Sequence, residues 1–154
     1  MLNYFLYSIS ITFSSWIIGM LFYAPIRYTD FHKHSLENLN FLPSKPLNTF
    51  IGLDVFKWIV RNTFFKFFNP KLNLRLKRRI ELKDLRNLRL EMISAEISHL
   101  IAFVLVCIAA VVVGLVYSWQ FGVVLMLVNI VLNLYPALLQ QQNKRRIDRF
   151  INLK

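Results

Sequence analysis

A chain of 154 residues has the length of one domain, and a hydrophobic content of 56% is high for a water-soluble domain of that size. Its 19 Lys and Arg residues against 8 Asp and Glu give a formal net charge of +11, which favours anionic partners such as a lipid surface or a phosphate-bearing ligand. Because the basic residues flank long apolar runs instead of covering a soluble module, we exclude nucleic acid as a partner and expect a single membrane domain over residues 1–154.

The first apolar run, residues 4–24, is long enough to cross the roughly 30 Å hydrocarbon core of a bilayer as a helix. A cleaved signal peptide is the alternative, but no basic segment precedes the run, and it exceeds the usual length of about 7 to 15 apolar residues. We therefore interpret it as a retained span. Lys and Arg accumulate after it, so the positive-inside rule places the N-terminus outside and residue 26 onward in the cytoplasm.

Residues 26–49 contain Asn, Ser and Pro without a clear period, so we expect a loop. Within it, His32 and His34 form a His-x-His pair that could ligate a metal. A metal site needs a further ligand at a matching spacing, and none follows nearby. Two exposed loop histidines are therefore the favoured interpretation, and we expect no metal site.

Residues 50–68 are rich in apolar and aromatic residues, yet they include Asp54, Lys57 and Arg61. The spacing i, i+3 and i+7 places these three residues on one narrow stripe of a helix. Such a helix suits the membrane interface or a re-entrant position. A full crossing would put three charges into hydrocarbon at a cost of roughly 2.5 kcal/mol or more each. We expect an interfacial or re-entrant helix, with a fourth span as the alternative.

A basic segment over residues 69–95 follows, and we expect it to be cytoplasmic. Its most concentrated run contains Arg75, Lys77, Arg78 and Arg79. Further on, a helix is predicted to begin near Asp84, because Leu85, Leu88 and Met92 keep helical spacing. The same face continues to Glu96 and beyond, so this amphipathic helix is expected to run unbroken into the next span.

Two more apolar runs, residues 97–119 and 121–140, are each long enough to span the bilayer. The uncharged stretch between them, residues 118–122, predicts a short hairpin turn on the outside. With three crossings, the basic residues that follow the last span lie on the cytoplasmic side, and so does the C-terminus. We therefore predict an all-α, multi-pass protein of the cell membrane with three spans and one interfacial or re-entrant helix.

Four polar residues and one proline recur along and beyond the last span at spacings of 4, 3, 4 and 3, and these are Asn129, Asn133, Pro136, Gln140 and Asn143. On a regular helix they form one continuous stripe. Polar side chains rarely face lipid, so we expect the stripe to face protein or a wet cavity. Pro136 lacks an N–H, which frees the carbonyl of Leu132 for another partner. Interhelical hydrogen bonding and a functional site both remain open for this stripe.

Glu96 and His99 stand one helical turn apart where the second span begins. A carboxylate beside an imidazole fixes the ring and raises its basicity, which makes His99 a candidate general base near neutral pH. Polar residues that solvate a helix end are the alternative. A metal site is not expected, because a second Glu-x-x-His and additional carboxylates are missing.

The chain resembles the glycosyl-4,4'-diaponeurosporenoate acyltransferase family in two motifs, Glu96-x-x-His99 at the head of one span and Asn133-Leu-Tyr-Pro136-Ala-Leu-Leu-Gln140-x-x-Asn143-x-x-Arg146 at the foot of the next. The resemblance covers about residues 50–150 and is specific from the first motif onward. These small bacterial membrane enzymes attach a fatty acyl chain to the sugar of a carotenoid glycoside, the last step in making staphyloxanthin. The resemblance therefore implies acyl transfer at the cytoplasmic face of the membrane.

The same resemblance implies a fatty acyl donor, a thioester such as acyl-CoA, and a hydroxyl acceptor on a glycosylated lipid, with no resident cofactor. His99 would take the acceptor proton, Glu96 would hold the imidazole, and Asn133 or Gln140 would donate hydrogen bonds to the developing oxyanion. The other expected substrate-binding residues are Asn129, Asn143, Arg146, Arg75, Lys77, Arg78 and Arg79. The alternative is a non-catalytic membrane protein whose polar stripe binds a partner subunit or lipid, and the oligomeric state stays open.

Overall fold

The structure, a computed structural model, describes residues 1–41, 45–63 and 82–152, without the side chains of residues 45–47. Its α-helices are α1 (Leu2–Ile26), α2 (Lys45–Phe50), α3 (Leu53–Asn62), α4 (Leu82–Val116), α5 (Trp119–Asn129) and α6 (Tyr135–Asn152). Two single π-helical turns are formed by His32–Leu36 and Ile130–Leu134. These described residues contain no strand, which confirms the predicted all-α fold.

Three helices are long and apolar enough to cross a membrane, and they are Leu2–Ile26, Leu82–Val116 and the continuous stretch Trp119–Asn152. Their outward faces carry large apolar side chains that would be costly to leave in water, as on α4, where Val104, Ile108 and Val111 are each more than half exposed. The three predicted spans are confirmed by these helices, and the protein is a membrane protein.

The packing divides the chain into two compact units. The first comprises residues 1–39 and 94–137, and the second comprises residues 40–93 and 138–154. Each unit has its own buried core, described below.

In the first unit, α1 turns its small and polar residues inward, and these are Ser8, Thr12, Ser15, Gly19 and Tyr23. The hydroxyls of Ser8 and Thr12 donate to backbone carbonyls one turn earlier, at 2.7 Å each, so they are satisfied within the helix. A Cβ at Gly19 would overlap the carbonyl oxygen of Ser98 on α4. The small face of α1 thus permits the close backbone approach by which membrane helices pack.

The hairpin between α4 and α5 is tighter than the sequence predicts, because only Tyr117 and Ser118 separate the two helices. The predicted turn over residues 118–122 is wrong in its extent, and Trp119 begins α5 instead of ending the preceding span. Gly122 lies inside α5, where a Cβ would come within 2.7 Å of the Ala110 carbonyl oxygen. Glycine is therefore required at position 122 because α4 and α5 pack closely there, and not because the chain turns.

The apolar core of this hairpin consists of Val106, Ala110 and Leu125, with Ile11 and Phe121 packed against it. Because the Ala110 side chain is small, α4 and α5 can approach each other closely at this point.

In the second unit, the beginning of α4 packs against the end of α6. Leu85, Leu88, Met92 and Ile147 form the buried core. At its edge, Arg89 Nε donates to Asp148 Oδ1 at 2.6 Å. The amphipathic helix predicted from the leucine spacing is confirmed, and it runs unbroken from Leu82 to Val116.

The segment predicted as one helix over residues 50–68 is divided at Gly52, whose φ of 73° lies in the left-handed region and separates α2 from α3. Residues 64–68, like the basic run of Arg75, Lys77, Arg78 and Arg79, lie outside the described residues. With 10 residues, α3 is about 15 Å long, half the thickness of the hydrocarbon core. Leu53 is buried while Trp58 is two-thirds exposed, as an interfacial helix requires. The interfacial position itself stays a prediction.

The region predicted as a loop before α2 is helical over His32–Leu36, and His32 is only 4% exposed. Its Nε2 lies 2.9 Å from the Tyr23 hydroxyl, and its Nδ1 lies 3.5 Å from Glu37 Oε1. The interpretation of His32 as an exposed residue is wrong, because Tyr23 at the end of α1 offers it a buried polar partner. His34 is exposed, as expected. Within the described residues, no three His, Cys, Asp or Glu side chains are grouped so that they could hold a metal ion.

Candidate active site

A π-helical turn in the last span determines which polar residues face inward. The N–H of Tyr135 donates to the carbonyl of Ile130, five residues earlier instead of four, so the following residues are rotated by about one position. Of the predicted stripe, Asn129, Asn133 and Asn143 are buried, whereas Pro136 and Gln140 are partly exposed. The predicted stripe does not continue as one face, because its spacing assumed a regular α-helix throughout.

The carbonyl that Pro136 leaves without its helical donor has found another partner, as the sequence predicted. Trp16 Nε1 of α1 donates to the Leu132 carbonyl at 3.2 Å. The same indole packs edge-on against His99, with ring centroids 5.4 Å apart and an interplanar angle of 85°. Trp16 therefore ties the irregular part of the last span to the imidazole.

A side chain of the last span, that of Asn133, contacts the imidazole of His99. Its Nδ1 lies 3.3 Å from Asn133 Oδ1. Glu96, expected to hold the ring, is fully buried one turn earlier on α4, but the group at Nδ1 is the Asn133 amide. An i, i+3 spacing places two residues on one helix face without deciding whether their side chains meet.

The hydrogen bonds of two asparagines assign the tautomer of His99. The Phe103 carbonyl can only accept, so the Asn129 group 3.0 Å from it is the Nδ2 donor. Asn129 Oδ1 then accepts from Asn133 Nδ2 at 2.8 Å. This leaves Asn133 Oδ1 as an acceptor, so His99 Nδ1 carries the proton and, in the neutral ring, Nε2 carries the lone pair.

Both N–H groups of Asn133 are engaged in this network. One donates to Asn129 Oδ1, and Nδ2 also lies 3.3 Å from Ser15 Oγ. The Ser15 hydroxyl itself donates to the Thr12 carbonyl at 2.6 Å, which leaves its oxygen to accept from Asn133. Asn133 is thus equipped to orient His99, whereas the expected role of its amide as an oxyanion donor would require breaking one of these bonds.

Two site residues on α1, Ser15 and Trp16, were not identified from the sequence. A signal for the first was present, since Ser8, Thr12, Ser15, Gly19 and Tyr23 recur at spacings of 4, 3, 4 and 4. Small and polar residues at helical spacing within an apolar run indicate a packed face in a membrane helix. The position of Trp16 follows from the three-dimensional contact with the last span, and no spacing in the sequence indicates it.

The remaining predicted site residues within the described chain belong to the second unit. Gln140 is half-buried, Arg146 is exposed, and Asn143 is 3% exposed. Gln141, which the sequence analysis passed over, is 1% exposed and accepts the backbone N–H of Phe41 at 3.0 Å. Within the second unit, Gln141 is thus more deeply buried than Gln140, and the spacing in the sequence did not indicate which of these adjacent glutamines is buried.

A family model described as glycosyl-4,4'-diaponeurosporenoate acyltransferase matches residues 27–153, which is well over half of the chain. The match includes His99, Asn133 and all of α2 to α6. No curated protein and no solved structure matches the chain.

Proposed function

Since the chain belongs to the glycosyl-4,4'-diaponeurosporenoate acyltransferase family, we propose that it transfers a fatty acyl group from a thioester donor such as acyl-CoA to a sugar hydroxyl of a glycosylated lipid. The family name describes a carotenoid glycoside as the acceptor, and we take this acceptor as the first choice. The observation that carries the proposal is the orientation of His99, whose Nδ1 is bound by Asn133 and whose Nε2 therefore bears the lone pair.

In the proposed reaction, His99 Nε2 takes the proton of the acceptor hydroxyl as the hydroxyl oxygen bonds to the thioester carbonyl carbon. The carbon–sulfur bond then breaks, the thiolate leaves, and the ester remains on the sugar. Asn133 and Trp16 keep the imidazole oriented throughout, because one binds Nδ1 and the other packs against the ring. The proton taken by Nε2 can pass to the departing thiolate, so the base is regenerated.

We place this chemistry at the cytoplasmic face of the cell membrane, with the N-terminus outside and the C-terminus inside. His99 stands roughly 25 Å along α4 from Val116, which precedes the hairpin turn. If that turn is outside, His99 lies near the opposite surface, where a water-soluble thioester donor is available. The clustering of Lys and Arg on this side supports the orientation.

The non-catalytic alternative explains the hydrogen bonds among Asn129, Asn133 and Ser15, since interhelical packing alone would favour them. It does not explain the match to an acyltransferase family. We therefore assign the asparagines a positioning role within an enzyme, and we assign Arg146 and the basic run of Arg75, Lys77, Arg78 and Arg79 to binding the donor or the membrane surface.

The test is acyl transfer by the purified protein in nanodiscs, with acyl-CoA as donor and glycosyl-4,4'-diaponeurosporenoate as acceptor, followed by mass spectrometry of the lipid product. General-base catalysis contributes about 10² to 10⁴-fold, so His99→Ala should lower kcat by that factor. The exposed His34→Ala is the matched control and should retain the wild-type rate. A His99→Ala protein with an unchanged melting curve and most of the wild-type rate would overturn the mechanism.

A further inference from the structure

Basic side chains of α3 and α6 converge within the second unit. The Lys57 ammonium of α3 donates to Gln142 Oε1 of α6 at 3.1 Å, so its side chain joins the two helices. Arg146 stands one turn beyond Gln142 on α6, and Arg61 stands one turn beyond Lys57 on α3. Arg146 on one helix and Arg61 on the other are both near enough to the Lys57 ammonium to act on it electrostatically.

The surroundings of Lys57 disfavour its charged form. Burial lowers the pKa of the Lys57 ammonium most, the neighbouring Arg146 guanidinium lowers it further, and Arg61 acts in the same direction. Asp54 opposes this effect, but its carboxylate also accepts a hydrogen bond from the Thr49 hydroxyl at 3.0 Å. At Lys57, the repulsion from Arg146 and Arg61 exceeds the attraction of Asp54, and a bound anion would relieve that repulsion.

A second, independent observation comes from Asn143, which is 3% exposed. Its Nδ2 is buried without a hydrogen-bond partner among the described residues. Asn143 and Arg146 are three residues apart on α6, so the buried amide and the exposed guanidinium belong to adjacent positions of that helix. A buried amide donor without an acceptor is uncommon in folded proteins. A bound ligand that supplies the acceptor would explain the unpaired Asn143 amide.

The groups that Lys57, Arg146 and Asn143 offer are all donors: an ammonium, a guanidinium and an amide N–H. A small group with several acceptor oxygens and negative charge suits all three, and a phosphate is such a group. We propose that Lys57, Asn143 and Arg146 bind a phosphate group of the acyl donor or of an anionic lipid. The claim that the phosphate belongs to the acyl donor rests on the proposed function. The claim that these residues bind an anion does not depend on that function.

Coenzyme A is the probe, and its affinity is measured by calorimetry on the full chain in nanodiscs of phosphatidylcholine. Loss of one charge-assisted hydrogen bond should weaken binding about 10-fold, so we expect that loss for both Lys57→Gln and Arg146→Gln. Lys57→Arg keeps the charge and should bind within about 3-fold of the wild type. Arg149→Gln removes an equal charge from the same helix and is the matched control, with wild-type affinity expected.

The second arm replaces phosphatidylcholine by phosphatidylglycerol and records the melting temperature without coenzyme A. If the ligand is a lipid phosphate, phosphatidylglycerol stabilises the wild type, Lys57→Gln and Arg146→Gln lose that stabilisation, and coenzyme A affinity is equal in all variants. If neither coenzyme A affinity nor lipid stabilisation differs between these variants and Arg149→Gln, the anion site is wrong.

Acyl transfer measured in the same samples separates the two proposals. A protein that binds coenzyme A through Lys57 but transfers no acyl group contradicts only the proposed function.

Discussion

At the scale of single residues, the role of His99 depends on the direction of a few hydrogen bonds. A glutamate one turn earlier suggested a carboxylate–imidazole pair, yet the Asn133 amide occupies Nδ1. A neutral amide orients the ring without adding charge inside a membrane span, where a charged partner would be costly unless paired. The same amide selects the tautomer, because its oxygen is the only atom of Asn133 left to accept.

We therefore predict that Asn133→Ala impairs turnover more than Glu96→Gln does. Removing the acceptor at Nδ1 releases the imidazole, and the loss of one such hydrogen bond corresponds to about a 10-fold lower kcat. KM should change little, since Asn133 positions the base and is engaged by protein groups. The measurement is the kcat and KM of purified variants in the acyl-transfer assay.

Protein stability serves as the control for this comparison, because Asn133→Ala also leaves Asn129 Oδ1 without its donor. Rates are compared at a temperature at which each variant remains folded. If Glu96→Gln lowered kcat by more than Asn133→Ala did, the carboxylate and not the amide would be the group on which the base depends.

At the scale of helices, close packing rests on glycines whose neighbours leave no room for a side chain. At Gly122, an added Cβ would come within 2.7 Å of the Ala110 carbonyl oxygen and 2.8 Å of the Gly114 Cα. At Gly114, by contrast, an added Cβ would lie 3.7 Å from the Gly122 Cα, an ordinary van der Waals distance. The two glycines face each other across the hairpin but differ in the space around them.

Gly122→Ala should therefore destabilise the protein by about 1–3 kcal/mol, the usual cost of overpacking, because backbone atoms must move apart. Gly114→Ala is the matched substitution on the facing helix, and it should be neutral or slightly stabilising, since alanine favours helix more than glycine does. The measurement is the thermal unfolding midpoint of both variants in the same detergent. Equal midpoints for the two variants would contradict the packing described for α4 and α5.

At the scale of the whole molecule, topology determines from which side the donor reaches His99. We predict that the turn at Tyr117 and Ser118 faces the outside and that Lys83, at the start of α4, faces the cytoplasm. Single cysteines at positions 83 and 118 are labelled with an impermeant thiol reagent on intact cells. The background is Cys107→Ser, which keeps a polar atom near the Asn129 amide.

Position 118 should be labelled on intact cells, and position 83 should be labelled only after lysis, which is the control for reactivity. A reporter fused after Arg27 should report the same side as one fused after Thr63, because α3 does not cross the membrane in our interpretation. Labelling of position 83 on intact cells with protection of position 118 would reverse the orientation and move the proposed chemistry to the outer face.

Hydrophobic runs and charge placement in the sequence were sufficient to determine the membrane class, the three long helices and the continuity of α4. These features depend on the length of apolar segments and on local spacing, which are properties of the chain itself. Pro136 belongs to the same category, because a missing N–H predicts a free Leu132 carbonyl in an α-helix, and Trp16 Nε1 donates to that carbonyl.

The tertiary structure alone decided what depends on contacts between distant segments. The last span contains a π-helical turn at Ile130–Leu134, and a pattern of regular period does not foresee it. Of two adjacent glutamines, Gln141 is buried and Gln140 only half-buried. The pairing of His99 with Asn133, and of His32 with Tyr23, joins residues that share no helix. Such pairs form because a buried polar group takes whichever partner the packing of neighbouring helices brings to it, and sequence spacing does not record that choice.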